Sequence, residues 1–401
     1  MAIKRFAMGS GAFAAALLAA TSVLAQQPLK IGALMPMTGD LQAYGETSLN
    51  GIRLAADEIQ AAGGSISYVV GDTQTNPQSG VDAAQKLVNL EKVSGLVGAL
   101  SSGVSIPVAQ SVSSVSGVPQ VSSASTSPVI TGLADKDFLF RTVPSDAFQG
   151  VALASLTRDK GVARVSVIYV NNDYGKGLAD AFSSAFAEKG GSVEATVAYE
   201  QKQAAYRGEL QQASDGDPEA LVLIGYPENG QTILRQALEG GYFSRFIFTD
   251  GLKAPELIDA IGAQYLNGTF GTAPQARADT PAAQHFKSAY EKRFGELPPK
   301  PFIDSAYDAT YLLALAAEKA GSNDPMAIRD ALRSVAAPPG TKVGPGEFGK
   351  ARDLLAKGEE INYEGASGSQ DFDANGDVPG TFAHWEIRDG EIVTITVFEP
   401  K

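Results

Sequence analysis

Two serine-rich segments of this chain have the residue types and placement to bind a carboxylate. Gly98-Ala99-Leu100-Ser101-Ser102-Gly103 follows the apolar run Gly95-Leu96-Val97, and Ser122-Ser123-Ala124-Ser125-Thr126 follows Val118-Pro119-Gln120-Val121. Each is expected where a buried strand gives way to a helix. Such a junction exposes unpaired backbone N–H groups beside hydroxyls, and the helix dipole there favours negative charge. Two junctions side by side form a socket for an anion, although the same residues also serve simply as helix caps. A third feature is Asp250, which closes the run Phe246-Ile247-Phe248-Thr249. A carboxylate at the C-terminal end of a buried parallel strand sits where α/β folds place ligand contacts. It could equally cap the helix that Gly251-Leu252-Lys253-Ala254 leads into. As a ligand contact it calls for a positively charged nitrogen, because a lone buried carboxylate is costly.

Short apolar strands alternate with helical patterns along most of the chain. In the first half, strands are expected at Lys30–Pro36, Ile66–Val70, Gly95–Leu100, Val118–Ser122 and Phe138–Val143, with helices at Glu46–Ala62, Gly80–Lys92 and Ser105–Ser116. The strands read as continuous apolar runs, which suits parallel sheets covered on both faces. The rhythm restarts at Arg164–Val170, Ser192–Tyr199, Ala220–Gly225, Arg245–Thr249 and Gly268–Thr272, separated by helices near Gly175–Lys189, Tyr206–Ala213, Gly230–Glu239 and Ala254–Ile261. Two βαβ sets of similar length predict an α/β protein of two similar lobes, each with a parallel β-sheet flanked by helices. Helices follow at Ala282–Phe294, Phe302–Ala320 and Pro325–Ser334, with Phe286, Tyr290 and Phe294 forming a core stripe. A terminal hairpin, Phe382–Ile387 and Glu391–Phe398, turns at Asp389-Gly390. Extended, proline-containing stretches at Thr142–Ser145, Thr272–Pro274 and Gly376–Pro379 predict a three-strand hinge between the lobes. The N-terminal lobe is therefore expected to comprise 26–145 and 276–377, and the C-terminal lobe 146–275 and 378–401.

Residues 1–25 read as a secretory signal peptide: Lys4 and Arg5, the apolar stretch Phe13–Ala20, then cleavage after Ala25. That predicts a periplasmic protein without membrane insertion. The chain of 401 residues contains no cysteine, so disulfides and a lipid-bearing terminal cysteine are both excluded. Its formal charge of −13 argues against nucleic acid and anionic lipid as partners, and means an anionic ligand needs a local socket. Catalysis is poorly supplied. The only histidines, His285 and His384, lie far from any nucleophile elbow, and no Gly-x-Ser-x-Gly occurs. The glycine-rich Gly340–Gly346 lacks P-loop spacing and reads as a loop. Asp371–Asp377 alternates acidic and amide residues like a calcium loop, but Phe382 stands where the bidentate Glu is required, which favours a structural turn. No catalytic residue, metal site or cofactor is expected.

Taken together these features resemble the type I periplasmic binding proteins, and within them the leucine/isoleucine/valine-binding branch that serves ABC importers. The resemblance rests on Lys30–Gly39, Tyr44-Gly45, Asn172–Gly177, Ile233–Ala237 and Tyr307-Asp308-Ala309, in that order across the chain. It implies that Ser102 and Thr126 hold the α-carboxylate of an amino acid, and that the Ala124 carbonyl and Asp250 receive its α-ammonium. It further implies that Tyr44, Tyr174, Tyr226 and Tyr307 surround the cleft. The implied function is capture of a neutral aliphatic amino acid by hinge closure, for delivery by a monomer to permease subunits in the inner membrane. An aromatic carboxylate, an amide, or a sensory receptor as partner are alternatives. Thr75 and Ser101 occupy the positions where some relatives carry a disulfide, and Asp250 is shorter than the Glu of the best-known relatives.

Overall fold

The computed structural model describes residues 28–400, so the leader lies outside the described residues. The first sheet has five parallel strands: β1 Leu29–Met35, β2 Ile66–Asp72, β3 Gly95–Gly98, β4 Gln120–Ser122 and β5 Leu139–Arg141, in the order β2-β1-β3-β4-β5. A second sheet of seven is built from β6 Arg164–Val170, β7 Ser192–Tyr199, β8 Ala220–Ile224, β9 Phe246–Phe248 and β10 Phe270–Pro274. Two later strands complete it. After a small three-stranded sheet, β11 Thr341–Val343, β12 Ile361–Gly365 and β13 Gly368–Ser369, come β14 Phe382–Arg388, antiparallel to β10, and β15 Glu391–Phe398, antiparallel to β14 at the edge. Each sheet is covered by helices on both sides, which explains strands such as β8 that are buried at every residue.

Three departures from the sequence reading have physical causes. A helix at Asp146–Asp159 carries no amphipathic stripe, because it is wedged between the second sheet and the helix Asp173–Glu188 and is buried on several faces. Part of the glycine-rich Gly340–Gly346 is strand: Thr341–Val343 pairs with Ile361–Tyr363, a long-range contact that local composition does not encode. The helix after β3 begins at Ser102, three residues early, and passes through a π-turn at Ala109–Ser113.

Between the sheets, three stretches of chain run side by side. Gln275 N donates to Thr381 O (3.0 Å) and Thr381 Oγ1 returns a bond to Gln275 O (2.6 Å). A Cβ on Gly380 would stand 2.7 Å from the Pro144 ring, so only glycine lets those two threads touch. Fully buried Arg141, at the end of β5, ties this bundle to the second serine segment. Its Nε donates to Asp377 Oδ1 at 2.7 Å, while Nη1 reaches Ser127 O at 3.0 Å and Nη2 reaches Thr131 Oγ1 at 2.9 Å. Asp377 thus serves as an anchor, and Asp373 folds back to accept from the N–H groups of Asn375 and Asp377, an Asx-type turn.

Candidate functional site

The two sheets face each other across a small, nearly closed cavity lined by Leu41, Tyr44, Leu100, Ser101, Ser102, Ala124, Tyr174, Tyr226, Asp250, Gly251 and Phe302. Most of the lining comes from the segments following the C-terminal ends of parallel strands: β1, β3 and β4 from one side, β6, β8 and β9 from the other. The walls differ in character. Leu41, Leu100 and Phe302 make an apolar patch, with Tyr44 edge-on to Phe302 at 6.4 Å. Hydroxyls and one carboxylate line the remainder. None of these lining residues is basic.

The cavity is closed over by contacts between the two sides. Ser101 Oγ and Tyr226 Oη are 2.9 Å apart, the Tyr44 hydroxyl donates to the Asp250 carbonyl at 3.3 Å, and Ser127 Oγ donates to Asp173 O at 2.9 Å. Gln42 Nε2 reaches Glu228 Oε1 at 2.6 Å on the rim. Tyr174 and Tyr226 stack at 5.7 Å with their planes 12° apart, making a flat aromatic wall. Asn172 explains their placement: Oδ1 caps the Asp173–Glu188 helix through Gly175 N, and Nδ2 donates to Tyr226 Oη at 3.0 Å.

Asp250 is 3 % exposed and opens a single 3-10 turn, Asp250–Leu252. The helix beyond begins at Pro255, capped at Ala254 without any side-chain bond, so the carboxylate does not cap it. Oδ1 accepts from Gln149 Nε2 (2.7 Å) and from the Tyr174 hydroxyl (3.0 Å). A Cβ on Gly251 would lie 2.3 Å from Gly225 O, so glycine is needed for this turn to press against the end of β8. Burial lifts the Asp250 carboxyl to about 6, against the pull of the Gln149 and Tyr174 hydrogen bonds.

Across the cavity, Ser101 and Ser102 stand where β3 becomes helix. The first intrahelical bonds run from Val104 N and Ser105 N to Ser101 O, so the N–H groups of Ser102 and Gly103 precede the ladder. The Ser101 side chain makes no cap bond and is turned to Tyr226 instead. Ser102 Oγ accepts from Ser127 N at 3.2 Å, which links the two serine segments.

Six of the eight residues singled out from the sequence meet at this cavity: Ser102, Ala124, Asp250, Tyr44, Tyr174 and Tyr226. Thr126 is set back from it and donates its hydroxyl to Asp146 Oδ2 at 2.8 Å. Tyr307 is not at the cleft. It is fully buried in the first lobe, stacked on Tyr311 at 4.8 Å, with its hydroxyl bonded to Glu58. The helix Ile303–Ala320 turns that face toward the helix Gln42–Ala61, and an almost uniformly apolar helix gives no hint of which face meets a cleft. Leu41, Leu100, Gly251 and Phe302 went unnamed because apolar side chains and glycine carry no chemical signal; adjacency to Ser101, Asp250 and Tyr44 was the available clue. Asp146 and Gln149, behind Asp250, fell on the helix that the periodicity did not reveal.

Among the described residues no helix is long and apolar enough to cross a membrane, and no cluster of three or more His, Cys, Asp or Glu could hold a metal. A profile of the periplasmic binding protein family matches residues 28–353. The chain is similar to the Leu/Ile/Val-binding protein BraC3 of Rhizobium johnstonii, 30% identical over 342 residues (83% of this chain and 91% of that one). It is also similar to the chemotactic signal transduction system substrate-binding protein BasB of Halobacterium salinarum, 29% identical over 87% of this chain and 84% of that one. Among solved structures, the leucine-binding protein LivK of Thermotoga maritima superposes with a TM-score of 0.80 at 29% identity, covering 93% of this chain and 99% of that one.

Proposed function

As the chain belongs to the periplasmic binding proteins, in the leucine-binding type I family of solute-binding proteins, we propose that it captures a neutral aliphatic amino acid and hands it to an ABC importer. The observation that carries this reading is a buried carboxylate, Asp250, held by Gln149 and Tyr174 in a cavity that also presents Ser101 and Ser102 and contains no basic side chain. An uncompensated carboxylate in such a place calls for a cationic ligand group. The hydroxyls and the first-turn N–H groups of Ser102 and Gly103 receive the ligand's carboxylate, while Thr126, set back from the cavity, donates to Asp146. Leu41, Leu100 and Phe302 suit an aliphatic side chain.

Capture follows from the contacts across the cleft. The Ser101–Tyr226 and Tyr44–Asp250 bonds form only when the lobes are together, and the three side-by-side threads around Pro144, Gln275 and Gly380 allow bending without breaking either sheet. The ligand shifts the population toward the closed form, which a membrane permease then reads. A sensory receptor as reader is the second reading, favoured by the similarity to a chemotactic binding protein over most of both chains.

Isothermal titration against the twenty protein amino acids tests the ligand class. Saturable heat with leucine, isoleucine or valine supports it, while binding confined to benzoate-like acids without nitrogen overturns it.

A further inference from the structure

Directly behind the ligand cleft lies one more carboxylate than the proposed ligand can neutralise. Asp146 is fully buried and begins the helix Asp146–Asp159, one turn ahead of Gln149, which binds Asp250. Asp146 Oδ2 takes the Thr126 hydroxyl at 2.8 Å; Asp146 Oδ1 has no donor, and neither does the buried Gln149 Oε1. The donors in this corner go to Asp250, which receives both Gln149 Nε2 and the Tyr174 hydroxyl.

The charges that face the pair are few. From β5 comes Arg141, committed to Asp377 at 2.7 Å and to the carbonyls of Ser127 and Ser125. Tyr44 and Tyr174, on the helices Gln42–Ala61 and Asp173–Glu188, and Tyr226, just ahead of the helix Pro227–Glu239, add neutral phenols. On the turn carrying Asp250 itself, Lys253 gives its ammonium to Gln275 Oε1 at 2.9 Å. Closure on a zwitterion therefore encloses three carboxylates, those of Asp146, Asp250 and the ligand, with a single ammonium. Removing that surplus negative charge from water is expensive unless a proton comes in.

Resting on the amino-acid reading above, we propose that Asp146 is a second acidic determinant of the site that takes up a proton when the cleft closes on its ligand. Asp250 stays ionised against the ammonium because it holds the donors; Asp146, with one hydroxyl donor and an orphaned Oδ1, receives the proton and becomes a donor itself. Burial and the neighbouring Asp250 charge raise the Asp146 carboxyl well above its usual range, against the Thr126 hydroxyl and Arg141, which agrees with this assignment. Opening of the cleft would return this carboxyl toward water and its ordinary ionised state, which links binding to proton uptake.

The test is titration of the full-length mature protein with leucine, followed by the other protein amino acids if leucine gives no heat, at about pH 6.5 in PIPES and in imidazole, whose ionisation enthalpies differ. The expected result is buffer-dependent heat corresponding to uptake of up to about one proton, with Kd rising by up to about tenfold per pH unit as pH climbs above the ordinary carboxylate range. Asp146→Asn should abolish the buffer dependence in whatever binding it retains; the wild-type comparison decides the matter should that variant not fold. Binding whose heat is identical in both buffers overturns this inference alone. No heat with any amino acid overturns the ligand reading, and this inference with it.

Discussion

Replacing Asp250 by Asn should weaken ligand binding while making the unliganded closed form more stable, two effects of opposite sign from one charge. The asparagine Oδ1 can still accept from Gln149 Nε2 and the Tyr174 hydroxyl, so those two hydrogen bonds survive. What disappears is the charge that meets the ligand's ammonium. A charge-assisted hydrogen bond contributes about 1.5–3 kcal/mol, so Kd should rise by roughly ten- to a hundredfold. Stability moves the other way. Burial raises Asp250 from an ordinary carboxylate value to about 6 in the folded protein. A group shifted upward contributes stability that is present below its unfolded value, near 4, and lost as pH climbs through about 6. A shift of about two units corresponds to roughly 3 kcal/mol of strain in the closed form above pH 7, which Asn relieves. Thermal unfolding at about pH 7.5, with and without ligand, reads both quantities, since saturation at about 100 times Kd adds about 2.7 kcal/mol. Unchanged affinity together with unchanged unliganded stability would refute the placement of an ionised Asp250 in this cleft.

Tyr226→Phe and Ser101→Ala each remove the 2.9 Å bond across the cleft; each should cost about 0.5–1.5 kcal/mol of closure, seen as faster ligand release in stopped-flow, and the double variant should cost less than the sum. Arg141→Ala leaves Asp377 and the carbonyls of Ser125 and Ser127 without their buried cation, so chemical denaturation should show a loss of about 3–5 kcal/mol. Tyr307→Phe should lower stability by about 1 kcal/mol through the lost bond to Glu58, yet change leucine affinity less than twofold by calorimetry, because the ring lies outside the cleft.

Much of the site could be read from the chain alone because its polar members stand at strand-to-helix junctions. Ser102, Ala124, Tyr174, Tyr226 and Asp250 all follow apolar runs that had to be parallel strands, and every parallel strand in a sheet delivers its C-terminal end to the same edge. Two sheets of that kind, covered on both faces, follow from continuous apolar runs separated by amphipathic helices. The sequence by itself therefore determined the α/β class, the paired lobes and the edge on which ligand chemistry collects. Tertiary structure alone decided which side chains face one another across the gap. Tyr44, ahead of the helix expected at Glu46–Ala62, and Tyr307, inside an apolar helix, are both placed at the cleft by resemblance, but only Tyr44 has its hydroxyl on the Asp250 carbonyl while that of Tyr307 is spent on Glu58. Asp146 gave no sign either, since a helix buried on several faces has no polar stripe to mark it, and its meaning depends on a neighbour more than one hundred residues away. Hydrophobic periodicity encodes how an element is buried against its own sheet; the charge balance of a cleft is a sum over elements brought together only by the closed fold.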